Sequence, residues 1–427
     1  MISNTSATHR GFKDNLYSVF SVLTEWSLII LMVALTFSIA LSEICIVVAL
    51  VSWLIRKALD RDISFIRNPI YLALTAYVAF IGLSVANSEY FYISFRGMIK
   101  AVKGIIIFLM VIDTFRTREQ IGKLFKVIVI LFLFTSFNGI WQYWFGKDLL
   151  RGREVGYFNE DFSRRITASF AHYSQLGSYL VLTNSLFLAL FFGKNTLGKR
   201  EKILLAILIT LGSVMLFYTG SRSSWIALAF STLFIGVVFR NKIILGGLLI
   251  VGILTPFVLP DYMLIHFDAN RKEQSISERV ILWKRAVDVI KAHPFLGSGI
   301  NTYNRVNAKY DTIKDSRVKG YYAHNGYLQL AAEIGLFGLG FFLLFLFLFF
   351  SQILWKIRSV PIANYANVSL GFLAGCFGFL VLVIFDTNLQ SFQPNALFWI
   401  FMGLAMAVLR LGISSQVDTV KKGGLLS

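Results

Sequence analysis

Three features of this 427-residue chain predict an all-α polytopic membrane protein of about twelve transmembrane helices. Mean hydropathy is +0.67, and 56% of the residues are hydrophobic. Only 15% are charged, where a soluble domain carries about a quarter. Apolar stretches of about 20 residues, long enough to cross a hydrocarbon core, recur along the whole chain.

The expected spans are 22–41, 44–56, 70–86, 95–112, 127–145, 173–193, 203–219, 223–239, 243–259, 325–354, 364–385 and 396–409. Only Ser42 and Glu43 separate the first two, so a tight re-entrant hairpin is the alternative there. The first twenty residues are polar, and no small-residue cleavage site follows a short apolar core, so no cleavable signal peptide is expected. The organisation predicted is nine helices over 1–259, an extramembrane module at 260–323, three helices over 324–409 and a tail at 410–427.

Lysines and arginines near helix ends set orientation. Alternate connections read "RKALDRDISFIR", "FRTREQIGKLFK", "GKNTLGKRE", "RNK" and "WKIR", and the tail carries Arg410, Lys421 and Lys422. All fall on one side if both termini are cytoplasmic. The opposite connections "NSEYFYIS" and "DTNLQSFQPN" hold neither lysine nor arginine. Against that bias, the outer loop 146–172 carries Lys147, Arg151, Arg153, Arg164 and Arg165, and "YTGSRSSW" carries Arg222. Cations placed against the rule that sets topology suggest an anionic ligand on the outer face; lipid contacts are the other reading of the net charge of +18. Because the basic residues are split across both faces, a nucleic-acid partner is not expected.

Within 260–323, "SISERVILWKRAVDVIKAHPFLGSG" reads as one amphipathic helix. Ser275 and Glu278 fit a capping box, and Val280, Trp283, Val287 and Ile290 form an apolar stripe at helical spacing. Pro294 and Gly297-Ser298-Gly299 end it. Arg279 and Trp283, one turn apart, share a face.

Charges inside spans are costly and default to a functional reading. Arg96, Lys100 and Lys103 fall on one stripe of the fourth span, where like charges repel unless anions or carboxylates face them. Glu333 is the internal candidate. Snorkelling toward the outer interface is the alternative for Arg96 and Lys100. Cys45 and Cys376 lie inside spans with no disulfide or metal-ligand spacing, and are read as small buried apolar residues.

Arg222 stands where a helix begins, after Thr219-Gly220-Ser221. Open backbone N–H groups and the positive helix end favour an anion there, and a guanidinium adds paired donors suited to phosphate. His324 stands at the start of the tenth span. The same dipole disfavours imidazolium, leaving a neutral ring able to accept a proton. The plain alternatives are an interface anchor for Arg222 and a loop end for His324.

"SERVILWKRAVDVIKAHPFLGSGINTY", followed by "AHNGYLQLAAEIGLFG", resembles the O-antigen ligase and polymerase superfamily, as does "TGSRSSWIAL" upstream. The residues carrying the likeness are Arg222; Arg279, Trp283, Pro294, Gly297 and Gly299; and His324, Asn325 and Leu328. "RRITASFAHYSQLGSYL" resembles the family's loop before its central helices, so the likeness covers about residues 150–340. A GT-C-like membrane fold is implied, most like an O-antigen ligase.

The resemblance implies cofactor-free, metal-independent glycosyl transfer from an undecaprenyl-diphosphate-linked glycan to a lipid A-core sugar, at the periplasmic face of a bacterial inner membrane. His324 would be the general base, and Arg222 and Arg279 would hold the diphosphate. Arg164, Arg165, Arg96, Lys100, Lys103, Asn325 and Trp283 are the expected substrate-binding residues. A polymerase of the same superfamily is the alternative, and a small-anion transporter the alternative from another class. The one D-x-D-like triplet, Asp60-Arg61-Asp62, falls on the predicted cytoplasmic face. Asp261, Asp268, Asp311 and Asp315 are scattered without ligand-like clustering.

Overall fold

The computed structural model describes residues 2–60, 69–157, 164–194, 197–258, 269–310, 322–358, 360 and 363–423, with side chains described at all of these except 2–12, 251–258, 269–278 and 415–423. Arg61, Asp62, Asp261, Asp268, Asp311 and Asp315 lie outside the described residues. The helices are α1 (Ile2–Phe37), α2 (Ile39–Asp60), α3 (Pro69–Ala86), α4 (Phe91–Thr114), α5 (Arg118–Phe145), α6 (Tyr173–Phe192), α7 (Lys199–Thr219), α8 (Arg222–Phe239), α9 (Lys242–Val258), α10 (Ala269–Ala292), α11 (Gly326–Ile357), α12 (Ala363–Val383) and α13 (Phe392–Gly423). One antiparallel ladder of two residues per strand, β1 (Gly156–Tyr157) with β2 (Arg164–Arg165), interrupts the all-α pattern.

By length and composition, 10 helices among the described residues can cross a membrane, fewer than the twelve expected. The two that fall short are α4 and α9. Every 18-residue window of α4 holds at least three of Arg96, Lys100, Lys103 and Asp113, and α9 is 17 residues long. The first break also moves. The chain turns at Ser38, whose hydroxyl accepts from the Leu41 amide at 3.3 Å at the start of α2, and not at Ser42–Glu43. Glu43 thereby sits one turn inside α2 and pairs with Lys103 at 2.5 Å.

Helices α6, α12 and α13 form the most enclosed part of the bundle. Gly371, Gly375 and Gly378 repeat at helical spacing along α12. A Cβ there would meet Leu186 backbone at 2.9 Å, the Leu182 carbonyl at 2.8 Å and Val181 at 2.7 Å. Without side chains on that stripe, α12 lies against α6 backbone to backbone, as small residues allow in membrane helices. Ser231 of α8 then donates to the Ala374 carbonyl at 2.7 Å. Both cysteines are buried among apolar neighbours, as read from the sequence.

The helix ends sort onto two faces. Asn87 and Ser88, after α3, bond the Gly297 and Ser298 carbonyls, on the same face as the starts of α6, α8 and α11. Asp113, at the other end of α4, is clasped by Arg56, Lys57, Arg116 and the Trp53 indole. Cysteines introduced at the exposed positions Glu89 and Glu154 should react with an impermeant maleimide added to intact cells, and cysteines at Lys199 and Arg358 should not. Labelling at 199 from outside would reverse the orientation.

Candidate functional site

Helix α10 and the turn after it are locked onto α11. The Ser298 and Gly299 amides donate to the Ala332 and Glu333 carbonyls, each at 2.9 Å, and the Leu336 amide donates to the Pro294 carbonyl at 2.8 Å. These bonds need a break in α11, and Gly335 supplies it with φ 76° and ψ 172°. A Cβ at Gly335 would run into the Phe295 carbonyl, and one at Gly297 into the Glu333 backbone. The Pro-x-x-Gly-x-Gly turn is thus a docking device as well as a helix stop. Gly335→Ala should lower stability by about 3 kcal/mol through backbone strain and overpacking. Gly340→Ala, with open space around it, should be near neutral. Thermal unfolding of both variants in detergent checks this.

The docked helix differs from the expected one in two ways. It begins at Ala269, so Ser275 and Glu278 fall inside it rather than capping it. Its buried edge is Leu282, Arg285, Ala286 and Val289, whereas Val280 is 39% and Val287 37% exposed. The small side chain of Ala286 lets α10 approach Ala323 and Ala332, and that contact decides which face turns inward. Trp283, half-buried one turn from Arg279, encloses an indole N–H with no hydrogen-bond partner among the described residues.

At the mouth of α11, His324 has φ 48°, a left-handed conformation that disfavours a side chain with a Cβ. Its neighbours hold it there. The Asn325 side chain caps α11 by accepting from the Tyr327 and Leu328 amides, both at 3.0 Å, and the Gly326 amide donates to the Asp386 carbonyl at 3.0 Å. An imposed backbone conformation of this kind is a mark of functional positions. His324 is exposed. Partial desolvation pushes its pKa below the usual histidine value, Asp386 opposes that shift, and Arg279 reinforces it.

Helix α8 starts differently. The Ser221 hydroxyl turns to the Ser223 and Ser224 hydroxyls, at 3.2 and 2.7 Å, and makes no cap bond. The Ser224 amide instead closes onto the Ser221 carbonyl at 3.1 Å, and the positive end of α8 favours an anion beside the Arg222 guanidinium. Arg222 lies within electrostatic reach of Arg279 and Tyr173. Arg165 joins them: its guanidinium stacks on the Tyr173 ring at 4.1 Å, donates to the Gly220 carbonyl at 3.0 Å and feels Arg222.

Two residues singled out for no role by sequence complete the cluster. His172 caps α6, accepting from the Ser174 amide at 3.3 Å. Burial pushes its pKa down, Asp386 raises it, and Arg165 and His324 lower it further. The Asp386 carboxylate accepts from the Ser174 hydroxyl and the Thr387 amide. Asp386 was legible only as the lone acid in "DTNLQSFQPN", and His172 as the residue before an apolar run.

The structure thus brings Arg165, Arg222, Arg279, His172, His324 and Asp386 together on one face. Other expected binding residues go elsewhere. Arg164 donates to the Tyr143 and Trp144 carbonyls, pinning the loop to the end of α5. Lys103 is taken by Glu43 and lies over the Phe392 ring at 5.2 Å. Lys100 borders a separate pocket with Glu333, Asn301 and Trp399. Glu333 lies within electrostatic reach of Lys100, while its carboxylate accepts from the Tyr303 amide and the Gln329 amide nitrogen, at 3.3 and 3.2 Å. Arg96 is exposed on α4.

Residues 204–343 match the family model described as O-Antigen ligase. That stretch contains Arg222, Arg279, Trp283, His324 and Asn325, and excludes Arg165, His172 and Asp386. A search of curated proteins returns no match. With its many apolar helices the chain is an all-α polytopic membrane protein, and its stretch 204–343 is similar to the O-antigen ligase family.

Proposed function

We propose that this protein is an O-antigen ligase: it transfers a glycan from undecaprenyl diphosphate to a lipid A-core sugar at the periplasmic face of the inner membrane. The observation that carries this reading is the meeting of three arginines with an exposed imidazole at one membrane face. His324 accepts the proton of the acceptor hydroxyl while its oxygen attacks the anomeric carbon. The bond from that carbon to the diphosphate oxygen breaks, and its electron pair leaves with the diphosphate. Arg222, Arg279 and the first turn of α8 take up that growing charge, so the step is driven by fixed side-chain cations. Arg165 extends the anion surface, and Asn325 fixes the ring's position through the cap of α11.

Asp386 is the positioning residue, since it faces both histidines and anchors the turn at Gly326. A base works when deprotonated, so transfer should fall as pH drops through the pKa of His324, itself below the ordinary value of about 6.5. Asp386→Asn removes the carboxylate that raises this pKa, so the acid limb should move to lower pH. A pH–rate profile of both proteins in proteoliposomes measures the shift; an acid limb unmoved by Asp386→Asn separates Asp386 from the base.

A deletion strain tests the activity itself. Loss of the gene should leave lipid A-core bare while long glycan accumulates on the polyprenyl carrier. A core bearing single repeats would instead indicate the polymerase.

A further inference from the structure

At the membrane face opposite His324, the far ends of α6, α8 and α11 and the starts of α9 and α12 enclose a groove of ≈ 900 Å³. Lys194, Arg240, Lys242 and Arg358 line it, and among the described residues no carboxylate does. All four cations are exposed. Between them the wall is apolar, formed by residues such as Val237, Leu354, Ala366 and Leu370. Arg240 holds φ 51° in the tight turn from α8 to α9, a conformation that favours glycine, so the chain keeps an arginine there against local preference.

We propose that this groove binds an anionic glycerophospholipid, with the headgroup phosphate on Arg240 and Arg358 and an acyl chain against Val237, Leu354 and Leu370. Four cations with no carboxylate among the described lining residues favour an anion, and the wall of apolar side chains beside them suits one that carries an acyl chain. The groove opens among the ends of helices long and apolar enough to span a membrane, where a phospholipid places its phosphate above its chains. Each of α6, α8, α11 and α12 has a residue of the His324 cluster in or just beyond one end and part of the groove at the other. The proposal is independent of the reaction at that cluster.

Native mass spectrometry of the full chain, exchanged from detergent into defined lipid mixtures, tests this. Phosphatidylglycerol should be retained at least tenfold over phosphatidylcholine and should raise the unfolding temperature, and soluble glycerol 3-phosphate should do neither. The double variant R240E/R358E should lose the preference. Ala366→Phe, which fills the groove and keeps every charge, should lose it too, so the result does not rest on one variant's folding. Arg118→Glu removes an exposed cation at the same membrane face outside the groove and should retain the preference. Loss with Arg118→Glu equal to that of the double variant would overturn the site in favour of general surface charge. Retention by Ala366→Phe, or equal binding of both lipids, would overturn it as well.

Discussion

Replacing His324 is expected to cut glycan transfer on the order of a hundred- to ten-thousand-fold, the usual loss when a general base is removed. Lipid A-core should then run bare on a gel while carrier-linked long chains accumulate. His324 is exposed, so alanine opens no apolar cavity. Its φ of 48° makes His324→Asn the cleaner variant, because asparagine tolerates the left-handed region better than alanine. Both should express near wild type and both should be inactive. An active His324→Asn protein would remove the base from this position, and single repeats on the core would replace the ligase by the polymerase.

The second large effect concerns the arginines. Arg222→Lys and Arg279→Lys each keep a positive charge and lose the planar pair of donors that fits a diphosphate. Transfer should fall tenfold or more for each, about 1.4 kcal/mol of barrier per tenfold. If the guanidinium acts chiefly on charge that develops as the diphosphate leaves, the loss appears in kcat rather than in KM. Arg164→Lys is the control, since that side chain is spent on the Tyr143 and Trp144 carbonyls; it should transfer at close to the wild-type rate. Near-normal turnover of Arg222→Lys and Arg279→Lys would reduce both residues to electrostatic anchors.

The sequence by itself determined the fold class, because hydropathy and length alone force a chain of this composition into membrane-spanning helices. It also marked candidate residues at helix mouths: Arg222 and His324 stand at the starts of α8 and α11, whereas Arg279 proves to lie inside α10. What it could not determine was which distant residues meet them. His172 and Asp386 join the cluster from distant parts of the chain, held together by a Ser174–Asp386 bond that spans 212 residues. Arg164 and Arg165 are adjacent and alike in sequence. Only the two-residue ladder, which turns alternate side chains to opposite sides, sends one to backbone carbonyls and the other to Tyr173. The buried face of α10 was likewise settled by contact with Ala332, and the break at Gly335 by the turn that docks there. Local pattern fixes what a residue can do; its partners are fixed by packing, which depends on residues far away in the chain.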